Sequence, residues 1–168
     1  HSYRETKLIA EEMVREAAAW MVNPDYVVGP GDVHGVVTTP LIRAAQLPLI
    51  PAPKGGKCFV SGSDVAAAHL LVPSKGTPGR RYLIGAENRS YADIFRTIAK
   101  LIQKKPVIVP LPRTVARVLK RLPRFGPTGG AIEQMGLARY RSSGRAQAEL
   151  GWAPFPIQPA LAAMLDWH

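Results

Sequence analysis

The chain has 168 residues, of which 46% are hydrophobic and 20% charged, with 15 Gly and 16 Pro. This is the composition of a globular domain, and no apolar run is long enough to span a membrane. The single cysteine, Cys58, excludes an internal disulfide framework and favours a reducing, cytoplasmic location. The net charge of +10 fits a nucleic acid, a membrane surface or an anionic small molecule as partner, unless another part of a longer protein balances it.

The N-terminal region predicts a helix followed at once by a strand. Ile9, Met13 and Ala17 fall at i, i+4 and i+8 and form an apolar row on a helix over Tyr3 to Ala19. Strand-forming residues follow from Trp20 to Val28. Almost no residues connect the predicted helix to the predicted strand, so either the turn is very short or residues are missing there. Because the helical pattern starts immediately and no initiator methionine precedes it, we expect the chain to begin at a cut edge of a longer protein.

The remainder of the chain alternates between short strands and helices, with a turn at Gly29 to Asp32 and a Pro/Gly loop at Pro48 to Gly56. Ser61 or Ser63 is expected to cap one helix, and Ser90 another. Strands are predicted at 57–60, 81–85 and 107–109, and helices at 39–46, 64–72, 92–103, 114–122, 130–139, 145–150 and 159–167. Such alternation indicates an α/β unit, and the helix-rich C-terminal part indicates a small lobe.

Tyr3 and Lys7 form the pattern Tyr-x-x-x-Lys on the first predicted helix. At this spacing the two side chains share one face of the helix. A neighbouring ammonium favours the phenolate, so we expect the pKa of Tyr3 to fall below its usual value of about 10. A tyrosine of this kind can exchange a proton with a carbonyl or alcohol oxygen. The pattern alone is weak, because tyrosine and lysine occur at this spacing in many helices.

Further blocks follow the tyrosine in a fixed order, and together they are specific. They are Val22-Asn23-Pro24-Asp25-Tyr26-Val27-Val28-Gly29-Pro30-Gly31-Asp32, Phe59-Val60-Ser61-Gly62-Ser63-Asp64-Val65-Ala66, Arg81-Tyr82-Leu83-Ile84-Gly85 and Ala148-Glu149-Leu150-Gly151-Trp152. The series resembles the extended (atypical) short-chain dehydrogenase/reductase family, in its branch of NAD(P)-dependent epimerases/dehydratases and dihydroflavonol-reductase-like enzymes. The resemblance covers nearly the whole chain and corresponds to the C-terminal portion of the family.

The resemblance implies a role for each matching residue. Tyr3 matches the catalytic acid/base, and Lys7 matches the residue that holds the nicotinamide ribose and lowers the pKa of the tyrosine. Pro24, with the backbone of Asp25 to Val27, matches the segment beside the nicotinamide, although Pro24 equally fits a simple strand end. Asn23 matches a position that often faces the substrate, although a turn residue that bonds to the backbone fits it as well.

The resemblance also implies a fold, a cofactor and an assembly. The fold is α/β: the C-terminal part of a Rossmann-like doubly wound parallel sheet (residues 1–60) and a small helix-rich substrate-binding lobe (residues 61–168). The cofactor is NAD or NADP, and the substrate is a nucleotide sugar or a flavonoid- or steroid-like ketone. The helix at Tyr3 to Ala19 is expected to pair with its own copy in a homodimer.

Several family features are missing from the chain. No Gly-x-x-Gly-x-x-Gly motif follows a strand, no acidic residue for an adenosine ribose can be assigned, and no serine or threonine matches the family's second catalytic residue. We therefore expect the chain alone to be inactive. His34, His69 and Cys58 lack the spacing of metal ligands, so no metal is expected.

A basic amphipathic helix is predicted within residues 113–124. Arginines and lysines occupy one face and valines and leucines the other; the basic residues are Arg113, Arg117, Lys120, Arg121 and Arg124. A solvated face is the plain interpretation. The alternative function is a catalytically inactive binding module that contacts an anionic membrane or nucleic acid through this helix. If the protein is an enzyme, nucleic acid is not an expected partner.

Overall fold

Helices and strands alternate along the chain, as its periodicity predicts. The structure, a computed structural model, describes residues 3–121 and 134–168, and within them all side chains except those of residues 3, 4, 113, 116, 119 and 120. The described strands are β1 (Met21–Pro24), β2 (Tyr26–Val28), β3 (Leu49–Pro53), β4 (Gly56–Ser61), β5 (Arg81–Ile84), β6 (Glu87–Ser90), β7 (Val107–Leu111) and β8 (Ala138–Arg139). The described helices are α1 (Tyr3–Glu16), α2 (Thr38–Ala45), α3 (Gly62–Lys75), α4 (Tyr91–Leu101), α5 (Arg113–Lys120), α6 (Gly144–Leu150) and α7 (Ile157–Trp167).

The strands form three hydrogen-bonded groups, and most of their pairs are parallel. β1 pairs with β5, and β3 pairs with β7, each in parallel. β4 pairs in parallel with β2 and β8 and antiparallel with β6. On either side of Asp25 the chain therefore pairs with different strands: β1 pairs with β5, and β2 pairs with β4. The predicted α/β fold with a parallel sheet is confirmed.

Helix α1 is shorter than predicted, because a turn closes it at Glu16. The N–H of Ala19 donates to the carbonyl of Val14 (3.1 Å), and the N–H of Ala18 donates to that of Arg15 (3.0 Å). Ala18 has a φ of 51°, so these bonds form the Schellman turn that glycine usually supplies. The connection between helix and strand is therefore a very short turn.

Two strands lie where the sequence predicted neither a strand nor a helix. The Pro/Gly segment predicted as a loop contains β3, which has β7 as its strand partner. Edge strands tolerate proline, since one side of their backbone needs no partner in the sheet. The other missed strand, β6, consists of Glu87, Asn88, Arg89 and Ser90 and lacks the alternation that marks strands. It forms because its backbone pairs with β4.

The predicted helix at 130–139 is wrong at its C-terminal end, because Ala138 and Arg139 form β8 and pair with Gly56 and Lys57 of β4. Its first four positions, 130–133, lie outside the described residues. The basic helix is observed as α5, which ends at Lys120, and positions 122–124 of the predicted stretch also lie outside the described residues.

Two clusters of buried side chains hold the elements together. One joins α2, β3, α4 and α7 around Phe59 and Ile98, each fully buried. The other joins α3, β5 and α6 around Tyr82 and Trp152. Both clusters contain residues from before and after residue 60, and Ala86 packs against both. The division into a sheet portion and a lobe at residue 60 stays a prediction.

The predicted caps are present at α3 and α4. Ser61 Oγ accepts a hydrogen bond from the N–H of Asp64 (3.0 Å) at the start of α3, and Ser90 Oγ accepts one from that of Asp93 (3.1 Å) at α4. The buried Asp64 also accepts a bond from the N–H of Phe155, at 3.3 Å to Oδ2. These contacts fix α3 directly after β4.

Candidate functional site

The candidate site lies at the carboxyl ends of β1 and β5. Pro24 and Ile84 are paired at the last position of the two strands. The N–H of Asp25 then donates to the carbonyl of Ile84 (3.1 Å), and the chain moves on to pair with β4. Ligands of open parallel sheets bind outside the carboxyl ends of strands, where the strand order changes direction. This edge therefore has the position that a ligand site requires.

A cleft of about 550 Å³ separates α1 from β1, and we call it the helix cleft. Lys7, Glu11 and Val14 line it from α1, while Asn23 and Pro24 line it from β1. The four-residue connection between α1 and β1 places the exposed Lys7 beside the end of the strand. Three residues singled out in the sequence thus share one cleft.

A second cleft, of about 310 Å³, lies at the strand ends themselves, and we call it the strand-end cleft. Asn23 and Pro24 line both clefts, so the two adjoin. Arg81 and Arg141 add positive charge to the strand-end cleft, and Ser142 adds a hydroxyl. An arrangement of this kind can bind an anionic group next to Asn23.

The two arginines are positioned in different ways. Arg81 Nη1 donates to Glu11 Oε1 at 2.6 Å, which ties β5 to α1. The backbone of Arg141 is clamped by Asn88: its N–H donates to Asn88 Oδ1 (3.0 Å), and its carbonyl accepts from Nδ2 (2.9 Å). Sequence reasoning missed both arginines, because they reach the site from about 60 and 120 residues after Asn23.

Asp25 sits at the base of the strand-end cleft with Lys57 and Cys58 nearby. Lys57 Nζ lies 3.4 Å from Asp25 Oδ1, and Oδ2 is buried without a hydrogen-bond partner among the described residues. Burial raises the pKa of the Cys58 thiol, and the carboxylate of Asp25 raises it further. Position 85 has no room for a side chain, because a Cβ there would lie 2.4 Å from Cys58 Sγ, and glycine avoids this clash.

The loop that leads from β2 to α2 is organised by Asp32. Its Oδ2 accepts hydrogen bonds from the N–H groups of Val37 (2.8 Å) and Thr38 (2.9 Å). These donors, the backbone N–H of Thr38 first, lower the pKa of Asp32 to about 2. Thr38 Oγ1 lies 2.6 Å from His168 Nε2, so the loop also contacts the end of α7. The loop between β2 and α2 is therefore fixed by hydrogen bonds.

The other predicted site residues take different positions. Helix α1 begins at Tyr3, one turn before Lys7, and the tyrosine side chain lies outside the described set. Val27 packs its side chain against the second buried cluster, opposite Val60 in β4. The structure thus brings Lys7, Asn23, Pro24 and Asp25 to one edge of the sheet, whereas the side chain of Val27 belongs to the packing behind it.

Within residues 3–121 and 134–168, no group of three or more His, Cys, Asp or Glu side chains could hold a metal ion. No helix in the same part of the chain is long and apolar enough to cross a membrane. The site is therefore built from a lysine, an asparagine, two arginines and strand-end backbone.

Comparison with known proteins gives one curated relative, and no protein-family model matches the chain. Sterol demethylase protein B of Methylococcus capsulatus is 27% identical over an alignment of 184 positions, which covers 98% of this chain and 56% of the relative. The chain thus spans about half the length of the relative that it matches.

Solved structures match over the same extent. The protein gox2253 is 29% identical with a TM-score of 0.75, over 96% of this chain and 52% of that one. A nucleoside-diphosphate-sugar epimerase from Pseudomonas aeruginosa is 23% identical with a TM-score of 0.77, over 96% and 53%. The chain has the fold of the C-terminal half of the extended short-chain dehydrogenase/reductases. WbmF of Bordetella bronchiseptica, solved with NAD⁺ and UDP, shares this fold at 20% identity and a TM-score of 0.69, over 98% and 52%.

Proposed function

We propose that the chain is the C-terminal portion of an NAD(P)-dependent oxidoreductase or epimerase that acts on a carbonyl or alcohol carbon. The observation that carries the proposal is the helix cleft, where Lys7 of α1 faces Asn23 and Pro24 at the carboxyl end of β1. Tyr3 precedes Lys7 by one helical turn. In this proposal Tyr3 is the acid/base and Lys7 holds a ribose and tunes the tyrosine.

The residues present fit the nicotinamide end of such a cofactor, whose chemistry when bound is hydride transfer. Lys7 would hold the ribose hydroxyls, and Pro24 with the backbone of Asp25 to Val27 would border the ring. The Lys7 ammonium favours the ionised phenolate of Tyr3 at i−4, since opposite charges within a few ångströms stabilise each other. Tyr3 would then take a proton from a substrate hydroxyl or return one to a carbonyl oxygen.

The strand-end cleft supports a substrate that carries phosphate. Arg81 and Arg141 line it beside Asn23, and guanidinium groups bind phosphate oxygens in pairs. We propose a nucleotide sugar, with its phosphates toward Arg141 and its sugar toward Asn23. A steroid-like ketone is the second candidate, supported by the likeness to sterol demethylase protein B. The Arg141→Ala variant separates the two, because it weakens binding of the phosphate-bearing substrate and leaves that of a neutral ketone unchanged.

The exposed surface of α1 supports a homodimer. Leu8, Ile9 and Met13 are all more than half exposed on this helix, and Met13 is 65% exposed. Soluble proteins seldom leave such an apolar row uncovered. A two-fold contact would cover it by pairing the row with its own copy. We propose that this row forms the dimer interface of the intact protein.

The test of the proposed function is Tyr3→Phe in the intact protein, assayed for turnover and for cofactor affinity. The change removes the titrating hydroxyl alone, so turnover should fall by about 10²- to 10⁴-fold while the Kd for NAD(P)H changes little. Turnover close to that of the wild type would end the assignment of Tyr3. Intact cofactor binding with no measurable turnover in the wild type would instead favour the inactive basic module.

A further inference from the structure

The net positive charge of the chain comes from two stretches of the sequence. Residues 33–63 and 94–132 contain no aspartate or glutamate, yet they hold 12 of the 22 lysines and arginines. The rest of the chain holds the other 10 cations and all 12 acids, so it is close to neutral. The two stretches contribute α2, β3, β4, most of α4, β7 and α5 to the described structure. The net positive charge therefore comes from these two stretches of the sequence.

The small sheet in this region leaves an apolar face uncovered. The buried residues Ile50 and Ala52 of β3 belong to the cluster that contains Phe95 and Ile98 of α4. The alternate positions point the other way, and Leu49, which is 55% exposed, pairs with Val107, which is 61% exposed. Pro51 pairs in the same way with Val109, and both are exposed. Exposed aliphatic side chains thus form a continuous face on β3 and β7.

Cations lie where the chain enters β7, beside a groove on the side of the small sheet that faces α4. A groove of about 360 Å³ between α4 and β7 is lined mostly by apolar surface, with Ala99, Pro106 and Ile108 among its residues. Lys104 and Lys105 stand at its edge, directly before the strand, and both are exposed. Two further cations, Arg96 and Lys100, line the groove from α4.

Helix α5 continues the same pattern after β7. It begins two residues after the strand ends and leaves Val115 and Val118 exposed. Arg117 and Arg121, at the C-terminal side of these valines, are also exposed. The sequence from Val107 to Arg121 therefore contains aliphatic and cationic residues and no acid, and on α5 the two kinds lie on different faces of the helix.

We propose that this surface docks the protein on an anionic lipid bilayer. We call it the basic apolar face and define it by the aliphatic residues Leu49, Pro51, Val107, Val109, Val115 and Val118 and the cations Lys104, Lys105, Arg117 and Arg121. Aliphatic side chains insert at the boundary between headgroups and acyl chains, and neighbouring lysines and arginines bind anionic headgroups. The basic apolar face supplies both kinds of side chain.

The other occupants fit the face less well. A second copy of the chain would bring two acid-free surfaces together, and like charges oppose such a contact. Nucleic acid is bound by cations with polar or aromatic side chains between them, whereas the side chains between these cations are aliphatic. Charge and apolar character together favour the bilayer.

Co-sedimentation of the intact protein with vesicles tests the proposal without any need for turnover. Vesicles of phosphatidylcholine with about 30% phosphatidylglycerol carry the anionic surface, and pure phosphatidylcholine vesicles serve as the neutral comparison. The wild type should bind the anionic vesicles alone, and added salt should weaken the binding. Lys105→Glu should lower the partition coefficient by roughly tenfold, because it replaces a cation by an anion at the surface. Val107→Ser should lower it by roughly threefold.

Matched variants on α3 control for charge and for apolar exposure. Lys75→Glu changes the net charge by the same amount as Lys105→Glu, and Leu70→Ser removes a side chain that is 81% exposed. Both should bind anionic vesicles as the wild type does. Equal losses in Lys75→Glu and Lys105→Glu would overturn the proposal, because net charge alone would then explain the binding. Binding of duplex DNA in a mobility-shift assay, without vesicle binding, would overturn it in favour of a nucleic-acid surface.

Discussion

The two-stranded parallel pairs β1–β5 and β3–β7 are built alike but expose different chemistry. Each buries one face: Tyr82 and Ile84 of β5 pack against α3 and α6, and Ile50 of β3 packs against α4. The opposite face of β1–β5 carries Asn23 and Arg81 and lies against α1. That of β3–β7 carries aliphatic residues alone. The buried face of each pair supports the fold, and the other face is left for contacts with ligands or surfaces.

Charge separates the two pairs further. Around β1–β5 the cations are matched by acids, as in the pair of Arg81 with Glu11 and that of Lys57 with Asp25. Around β3–β7 the cations outnumber the acids, although Asp93 of α4 pairs with Arg96. A small polar substrate calls for a few placed charges of both signs, whereas a broad anionic surface calls for cations over a wide area. The comparison thus assigns chemistry to one pair and docking to the other.

The largest expected effect tests whether β3–β7 is buried on one face only. Ile50→Ala empties a fully buried position and should lower the free energy of unfolding by about 2–5 kcal/mol. Leu49→Ala, one residue earlier on the exposed face, should change it by less than about 0.5 kcal/mol. Denaturant titration of the two variants measures both values. Equal losses would mean that both faces are covered in solution and would remove the surface proposed for docking.

The next effect tests how tightly the strand-end cleft is packed. Gly85→Ala would place a Cβ 2.4 Å from Cys58 Sγ and should cost about 1–3 kcal/mol of stability. Because the clash is with the thiol, Cys58→Ala in the same chain should recover part of the loss, and a double-mutant cycle measures the coupling. Additive losses would show that Cys58 is not what excludes a side chain at Gly85.

The elements with strong local signals could be predicted from the sequence. Ser90 and Asp93 mark the start of α4, and the strand-forming residues Phe59 and Val60 mark β4, because capping and local propensity act between near neighbours. By contrast, β3 and β6 exist because of their partners β7 and β4. The prolines of β3 and the polar residues of β6 have low strand propensity, so local propensity predicts neither strand.

The candidate site divides in the same way. Lys7, Asn23 and Pro24 could be predicted because they lie within 18 positions of each other on one helix and the following strand. Arg81 and Arg141 could not be predicted, since their positions at the strand-end cleft depend on the pairing of β5 with β1 and on the hydrogen bonds between Asn88 and Arg141. Their local sequence contains no signal for that placement.

A smaller effect concerns the helix that lies over β1–β5. If the exposed row of α1 forms the dimer interface, Met13→Glu should split the homodimer, because two like charges would be buried face to face. Light scattering of the intact protein should give the dimer mass for the wild type and the monomer mass for the variant. A monomeric wild type or an unaltered dimer in the variant would contradict the assembly.

The most direct test of the central claim is the pH dependence of kcat/KM for Lys7→Met in the oxidation direction. In that direction Tyr3 must be ionised to accept a proton, so activity rises with pH through its pKa. Removing the ammonium takes away the charge that favours the phenolate, and the pKa of Tyr3 should rise. The account predicts that the acidic limb of the profile moves to higher pH in Lys7→Met and stays in place in the matched Lys75→Met. An acidic limb at the same pH in both variants would contradict it and leave Lys7 an ordinary surface lysine.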